Sequence, residues 1–211
     1  MLVCYITDRT RFPGDEGTRQ HALLEKIAEA SRAGVDLIQL REKDLSSRKL
    51  EALAHAAVRV VRENTGEPAT RLLINSRSDI ALACGADGVH LRSEDISPPE
   101  VRRIWIGAGN SSRPLVSVSC HTVTEVASAV SAGADFAVFA PVFEKKDSAS
   151  TKAAGLDHLR EACRQKLPVL ALGGITLENV SPCIQAGAAG IAAIRLFQEN
   201  NLAEIVRRLR G

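Results

Sequence analysis

With 211 residues, 45% apolar and 25% charged, the chain has the size and composition of one globular domain, 1–211, that can bury a core without disulfides or a structural metal. A formal net charge of +2 without a polybasic block, and an aromatic content of only 3%, argue against a nucleic-acid partner. Five cysteines, an odd number with no C-x-x-C pair, argue against a disulfide framework or a zinc site and suit a reducing cytoplasm.

Residues 2–7 read as a first strand, since Met1-Leu2-Val3-Cys4 lacks the charged start and long apolar stretch of a signal peptide. No apolar run approaches ~20 residues, so no membrane-spanning helix is expected. An irregular stretch at 14–17 precedes an amphipathic helix over 23–31. Then comes Arg32-Ala33-Gly34-Val35-Asp36, the first copy of a recurring joint. The other copies begin at Cys84-Gly85-Ala86-Asp87, Ser131-Ala132-Gly133-Ala134-Asp135 and Gln185-Ala186-Gly187-Ala188. In each, glycine ends a helix by taking positive φ, a small residue and usually Asp make a tight loop, and a short apolar run begins.

Strand 37–40 leads into Gln39-Leu40-Arg41-Glu42-Lys43. Alternation puts Gln39, Arg41 and Lys43 on one side, where an amide and two cations suit a phosphate or diphosphate. The plainer reading is a solvated strand end paired with Glu42. Helix 50–62 and strand 72–75 follow, the latter ending in Asn75-Ser76-Arg77. Strand 88–91 contains His90, which an apolar setting makes a barrel-layer histidine. After it come Arg92-Ser93-Glu94-Asp95, then a helix start at Ser97-Pro98-Pro99.

Beyond an irregular 106–114, strand 115–119 ends in Ser119-Cys120-His121-Thr122. Thr122 is the expected cap of helix 124–131, with Glu125 completing a capping box. His121, at a strand end and helix start, is the candidate acid–base group. Cys120 faces the other way, so a Cys–His nucleophile pair is not expected. Strand 136–139 and an irregular 144–154 lead to helix 156–165. Strand 169–172 then ends in Gly173-Gly174-Ile175, with a helix start placed at Thr176. Paired glycines there let backbone N–H groups approach a phosphate, or simply make a tight turn. Strand 191–194 ends at Arg195, and helix 202–209 closes the chain. His21, His55 and His158 fall on solvated helix faces.

Eight nearly continuous apolar strands alternating with helices are the signature of strands buried on both faces, and predict a single-domain α/β (β/α)8 TIM barrel. The alternative is an open doubly wound sheet. No G-x-G-x-x-G follows the first strand, which counts against its dinucleotide-binding form. Barrel chemistry is expected where the strands end, and a phosphate site after strands seven and eight is common in this architecture.

The ordered set of these blocks resembles the thiamin phosphate synthase and TenI (thiazole tautomerase) family over essentially the whole chain. The blocks are Tyr5-Ile6-Thr7-Asp8, the Q-x-R-x-K run at 39–43, Leu73-Ile74-Asn75, Gly85-Ala86-Asp87-Gly88-Val89-His90, Glu94-Asp95, Ser119-Cys120-His121-Thr122, Pro141-Val142-Phe143, Gly173-Gly174-Ile175 and Gly187-Ala188.

By that resemblance Gln39, Arg41, Lys43 and Asn75 hold a pyrimidine diphosphate, with Ser119 nearby. Asp95 matches a Mg2+ ligand, Gly173 and Gly174 match the thiazole phosphate site, and His121 matches a residue implicated in proton transfer. Four departures stand out. Ser76 replaces the second Mg2+-binding aspartate and Arg92 replaces a glycine. Glu144-Lys145-Lys146-Asp147-Ser148 replaces a T-x-T-K segment, and Arg195 replaces a small hydroxyl residue.

These departures favour a metal-independent tautomerase that aromatises a thiazole carboxylate phosphate, with His121 as proton shuttle and Lys145 and Arg195 assisting the phosphate. One alternative is a divergent, Mg2+-dependent thiamin phosphate synthase. Another is a regulatory protein that binds thiamin phosphate without turnover. The expected partners are small phosphorylated thiazoles and pyrimidines, with neither nucleic acid nor membrane. Barrels of this type commonly pair through helix faces, so a homodimer is the assembly expected.

Overall fold

A computed structural model describes residues 1–144 and 153–211. Strands β1 (Leu2–Ile6), β2 (Leu37–Leu40), β3 (Arg71–Asn75), β4 (Gly88–Leu91), β5 (Leu115–Cys120), β6 (Phe136–Phe139), β7 (Val169–Leu172) and β8 (Gly190–Ala193) pair in parallel, in sequence order. β8 returns to β1 and closes the barrel. The open-sheet alternative therefore falls.

The helices are α1 (Glu16–Arg32), α2 (Ser47–Asn64), α3 (Ser78–Cys84), α4 (Pro98–Gly107), α5 (Val123–Ser131), α6 (Gly155–Cys163), α7 (Val180–Gln185), α8 (Arg195–Gln198) and α9 (Leu202–Arg210). A single 3-10 turn, Arg9–Arg11, follows β1. Among the described residues no helix is long and apolar enough to cross a membrane.

The repeated joint works as read, and its aspartate has a role that the pattern alone did not disclose. Gly34, Gly85, Gly133 and Gly187 all have positive φ. In three copies the aspartate then reaches back to the previous strand. Asp36 accepts the N–H of Val3 (2.8 Å), Asp87 that of Leu72 (2.8 Å) and Asp135 that of Val116 (2.7 Å). Each carboxylate thus satisfies an N–H at the bottom of the neighbouring strand and locks its register.

Two helix starts differ from the sequence reading. α1 begins at Glu16, inside the stretch read as irregular, because the Asp15 carboxylate caps the N–H of Thr18 (2.8 Å). α7 begins at Val180 and not at Thr176. The Asn179 side chain accepts from the Thr176 N–H (2.8 Å) and donates to the Gly174 carbonyl (2.8 Å), holding 176–179 as a turn.

Alternation along the strands divides the core. Val3, Ile38, Ile74, Val89, Ala137 and Ala171 face the helices, whereas Cys4, Ile6, Leu73, Val138, Leu170 and Ala192 fill the barrel interior. That interior stops being apolar near the top of β2–β5. There the inward positions are Gln39, Asn75, His90, Ser117 and Ser119.

Candidate active site at the barrel mouth

The polar inward residues form two hydrogen-bonded groups. Gln39, buried at the end of β2, donates its side-chain amide to the Asn75 carbonyl (2.8 Å), and Asn75 donates to the Ser76 hydroxyl (3.1 Å). His90 is also buried, with its ring nitrogens each 2.8 Å from a hydroxyl, Ser117 at Nδ1 and Ser119 at Nε2. One hydroxyl accepts and the other donates, which satisfies a neutral ring. Burial pulls the His90 pKa down to about 4. The pull of Asp95 opposes this, and the charge of Arg41 reinforces it. His90 is thus the satisfied barrel-layer histidine expected, and Ser119 is held by it inside the mouth.

The Q-x-R-x-K run does not converge by alternation, because β2 ends at Leu40. Arg41 is half-buried beyond the strand, and Lys43 is exposed in a turn. A device absent from the sequence reading fixes this segment. The buried Arg9 guanidinium pairs with Glu42 (3.2 Å), Asp44 (2.6 Å) and Glu16 (2.8 Å). Glu42 is buried too, and burial pushes its pKa up against the hydrogen bonds from Thr7 and Arg9. The Thr7 hydroxyl donates to Glu42 and accepts the backbone N–H of Arg41 (3.0 Å). The plainer reading of a solvated strand end with a Glu42 ion pair does not hold as made: Glu42 is buried and its partner is Arg9, outside the run. The pair presents Arg41 to the cleft. Burial lowers the pKa of Arg41, and no described residue accepts a hydrogen bond from its guanidinium.

The opposite side of the mouth is a cleft of about 910 Å³ bordered by Ile6, Arg41, Leu172, Gly173, Gly174 and Arg195. Gly173 (φ 100°) and Gly174 (φ 62°) are required here for two reasons. A side chain disfavours these torsions. A Cβ would also stand 2.7 Å from Pro141 at Gly173 and 2.8 Å from Phe143 and the Glu144 carbonyl at Gly174. The turn reading and the ligand reading of the pair are therefore both served: the glycines let the loop after β6 pack close while their backbone borders the cleft.

His121 is exposed beyond β5. Its Nδ1 lies 2.7 Å from the Ala140 carbonyl oxygen. A carbonyl only accepts, so Nδ1 carries the proton and Nε2 presents a lone pair. Pro141, next in the chain, is the residue packed on Gly173, so His121 sits beside the loop after β6 that packs on the glycine pair, and it is not itself among the residues that border the cleft. Thr122 caps α5 as expected, but Glu125 bonds the backbone N–H of His121 and not that of the cap residue, so the capping box is displaced by one position. Cys120 points to the helix side, and burial pushes its thiol up to about 12, which removes it as a nucleophile. Lys145 lies outside the described residues.

The residues present do not fit a magnesium site. Among the described residues no three His, Cys, Asp or Glu side chains gather to hold an ion. Asp95 is the one carboxylate at the expected place. Ser76 is neutral, and it is the one described non-glycine residue with positive φ (61°). Between them lies a cation of the chain itself. Arg92 donates from Nε to the Ser76 hydroxyl (3.0 Å) and from Nη2 to Asp95 (3.3 Å), while its backbone N–H binds the second Asp95 oxygen (2.7 Å). Burial alone would raise the Asp95 pKa; the Arg92 N–H, the Ser76 hydroxyl and the Arg92 guanidinium together bring it below the usual carboxylate value.

A closed parallel barrel whose mouth joins a polar hydrogen-bonded half to an open, glycine-bordered cleft is the frame of a barrel enzyme for small anionic ligands. The profile described as thiamine monophosphate synthase matches residues 3–197. The chain belongs to that enzyme family of thiamin biosynthesis.

The chain is 43% identical to a "Putative thiamine-phosphate synthase" of Geobacter sulfurreducens over 191 residues, covering 90% of this chain and 83% of that protein. It is 39% identical to a "Putative thiamine-phosphate synthase 2" of Aquifex aeolicus over 195 residues, covering 92% and 96%. Its fold superposes on the thiamine phosphate pyrophosphorylase of Pyrococcus furiosus with a TM-score of 0.79 at 26% identity, covering 99% of this chain and 93% of that one.

Proposed function

We propose that this chain is a cytoplasmic thiazole phosphate tautomerase, moving a proton on a phosphorylated thiazole carboxylate without a metal. The observation that carries the reading is His121. Its Nδ1–H is committed to the Ala140 carbonyl, which leaves Nε2 as an exposed base beside the loop that packs on Gly173. In the reaction Nε2 takes the proton from a ring carbon, the electron pair left behind enters the ring, and the protonated imidazole returns a proton at the other end of the rearranging system. The product is the aromatic tautomer, with no change in atoms or oxidation level.

Gly173, Gly174 and Arg195, all bordering the cleft, would hold the phosphate. The misfit of the Ser76–Asp95 pair to magnesium supports a reaction that needs none.

A second reading has its own support. Gln39 and Asn75 are hydrogen-bonded at the mouth and Arg41 borders the cleft, the side chains that a diphosphate substrate would use, and the relatives bear the name of the synthase. In that case the chain would join the pyrimidine's methylene carbon to the thiazole nitrogen, breaking the methylene C–O bond and releasing the diphosphate as pyrophosphate.

A product assay separates the readings. One reaction holds the pyrimidine diphosphate, thiazole phosphate and Mg2+; the other holds the non-aromatic thiazole carboxylate phosphate with EDTA. Aromatisation in the second, lost in His121→Ala, is the expected result. Thiamin phosphate in the first reaction alone would replace this reading with the synthase. Silence in both, with thiazole phosphate still bound, would leave a binding protein.

A further inference from the structure

We infer that the Arg92 guanidinium takes the place of the divalent cation on the β3–β4 side of the mouth. Together with Arg41 it would make a metal-free clamp for a phosphate or diphosphate group. The inference rests on the proposed function only in assigning an anionic ligand to this mouth.

Three observations meet here. First, Arg92 bridges the two residues between which a metal would sit, bonding Ser76 with Nε and Asp95 with Nη2. A divalent ion between two carboxylates and a guanidinium between a hydroxyl and one carboxylate have the same total charge. Exchanging aspartate for Ser76 and glycine for Arg92 is therefore electrostatically balanced as a pair, although neither change is so alone. Second, the arrangement is built and not a chance surface contact. Gln39, Asn75 and Ser76 form a hydrogen-bonded chain running from β2 to Arg92, and Asp95 grips Arg92 by backbone and side chain together. Half of the Arg92 side chain stays exposed toward solvent, so the planar fork retains donor capacity.

Third, a second cation lacks an acceptor. Arg41 is half-buried, meets no hydrogen-bond acceptor among the described residues, and lies near enough to His90 to act on it electrostatically. Asp95, the carboxylate that holds Arg92, acts on the same ring from the β4 side. Arg41 near His90, and Arg92 held by the Asp95 that acts on the same ring, bring two guanidiniums to one side of the mouth, an arrangement complementary to an anion with several oxygens.

Inorganic pyrophosphate titrated calorimetrically into the protein, with EDTA present, tests this directly. Wild type is expected to bind it, and Arg92→Gly to weaken that binding by about tenfold or more, the worth of a charge-assisted contact. Arg92→Lys keeps the charge but loses the fork, and is expected to fall between the two; it also serves if the glycine variant does not fold by circular dichroism. In the double variant Ser76→Asp/Arg92→Gly, binding should return only when Mg2+ is added. Pyrophosphate binding by wild type that requires Mg2+, or metal-free affinity unchanged in both Arg92 variants, would overturn the inference. Turnover is not the readout, so the two proposals fail separately. A protein that binds pyrophosphate with EDTA but never aromatises the thiazole sinks the tautomerase and leaves the clamp standing.

Discussion

The two halves of the barrel mouth are built on opposite principles. On β2–β5 the inward positions are Gln39, Asn75, His90, Ser117 and Ser119, each hydrogen-bonded to another member of the set. On β6–β8 the inward positions are Val138, Leu170, Leu172 and Ala192, and the polar character comes from backbone at Gly173-Gly174 and from Arg195. Buried polar side chains are tolerated only when satisfied, so the first half is rigid and pre-organised. The second half is apolar, with glycines that open the backbone. One half is thus lined by satisfied polar side chains, the other by apolar side chains and bare backbone. His121 stands where the rim of β5 meets the loop after β6, between them.

The sharpest way to break this division is at His121. Alanine there should lower aromatisation about 10²–10⁴-fold, the usual worth of a positioned acid–base group, while pyrophosphate binding on the polar half stays within twofold. Single-turnover kinetics beside calorimetry read the two effects independently.

Next is the pH dependence of the polar half. The folded pKa of His90, about 4, lies below its ordinary 6.5. The unfolded chain therefore binds more protons between those values. The stability that the neutral ring contributes is complete above pH 6.5 and is lost as pH falls toward 4, with about 3 kcal/mol at stake. Urea midpoints measured across pH 4–7 should show that slope, and His90→Gln should flatten it. An unchanged slope would mean that the ring is solvated.

On the cleft half, Arg195→Ala should weaken thiazole phosphate binding by about 1–3 kcal/mol; equal affinity by titration would place Arg195 outside the phosphate site. Smallest is Gly174→Ala. The positive φ alone costs about 1–2 kcal/mol, and the 2.8 Å approach to Phe143 adds strain. A thermal melt should show this loss, accompanied by weaker phosphate binding but by unaltered pyrophosphate binding.

How much was legible beforehand follows the range of each interaction. Strand and helix positions were readable because apolar runs and the Gly-x-Asp joints are local patterns, each acting within a few residues. The site residues were readable as types at strand ends, since the barrel brings every strand end to one face. Arg9 escaped notice because nothing in Asp8-Arg9-Thr10 signals that this arginine is buried against Glu42, 33 residues away. The convergence expected of Gln39, Arg41 and Lys43 failed because β2 stops at Leu40 and alternation ends with it.

The sequence by itself determined an eight-stranded parallel barrel, its strand order and the list of side chains available at its mouth, because periodicity and glycine placement act locally. Only the tertiary structure decided which of those side chains meet. It seated Arg92 on Ser76 and Asp95, enclosed His90 between two serines, and turned His121 by a single hydrogen bond to Ala140. Such partnerships join residues from different strands, and no local pattern carries the distance between them.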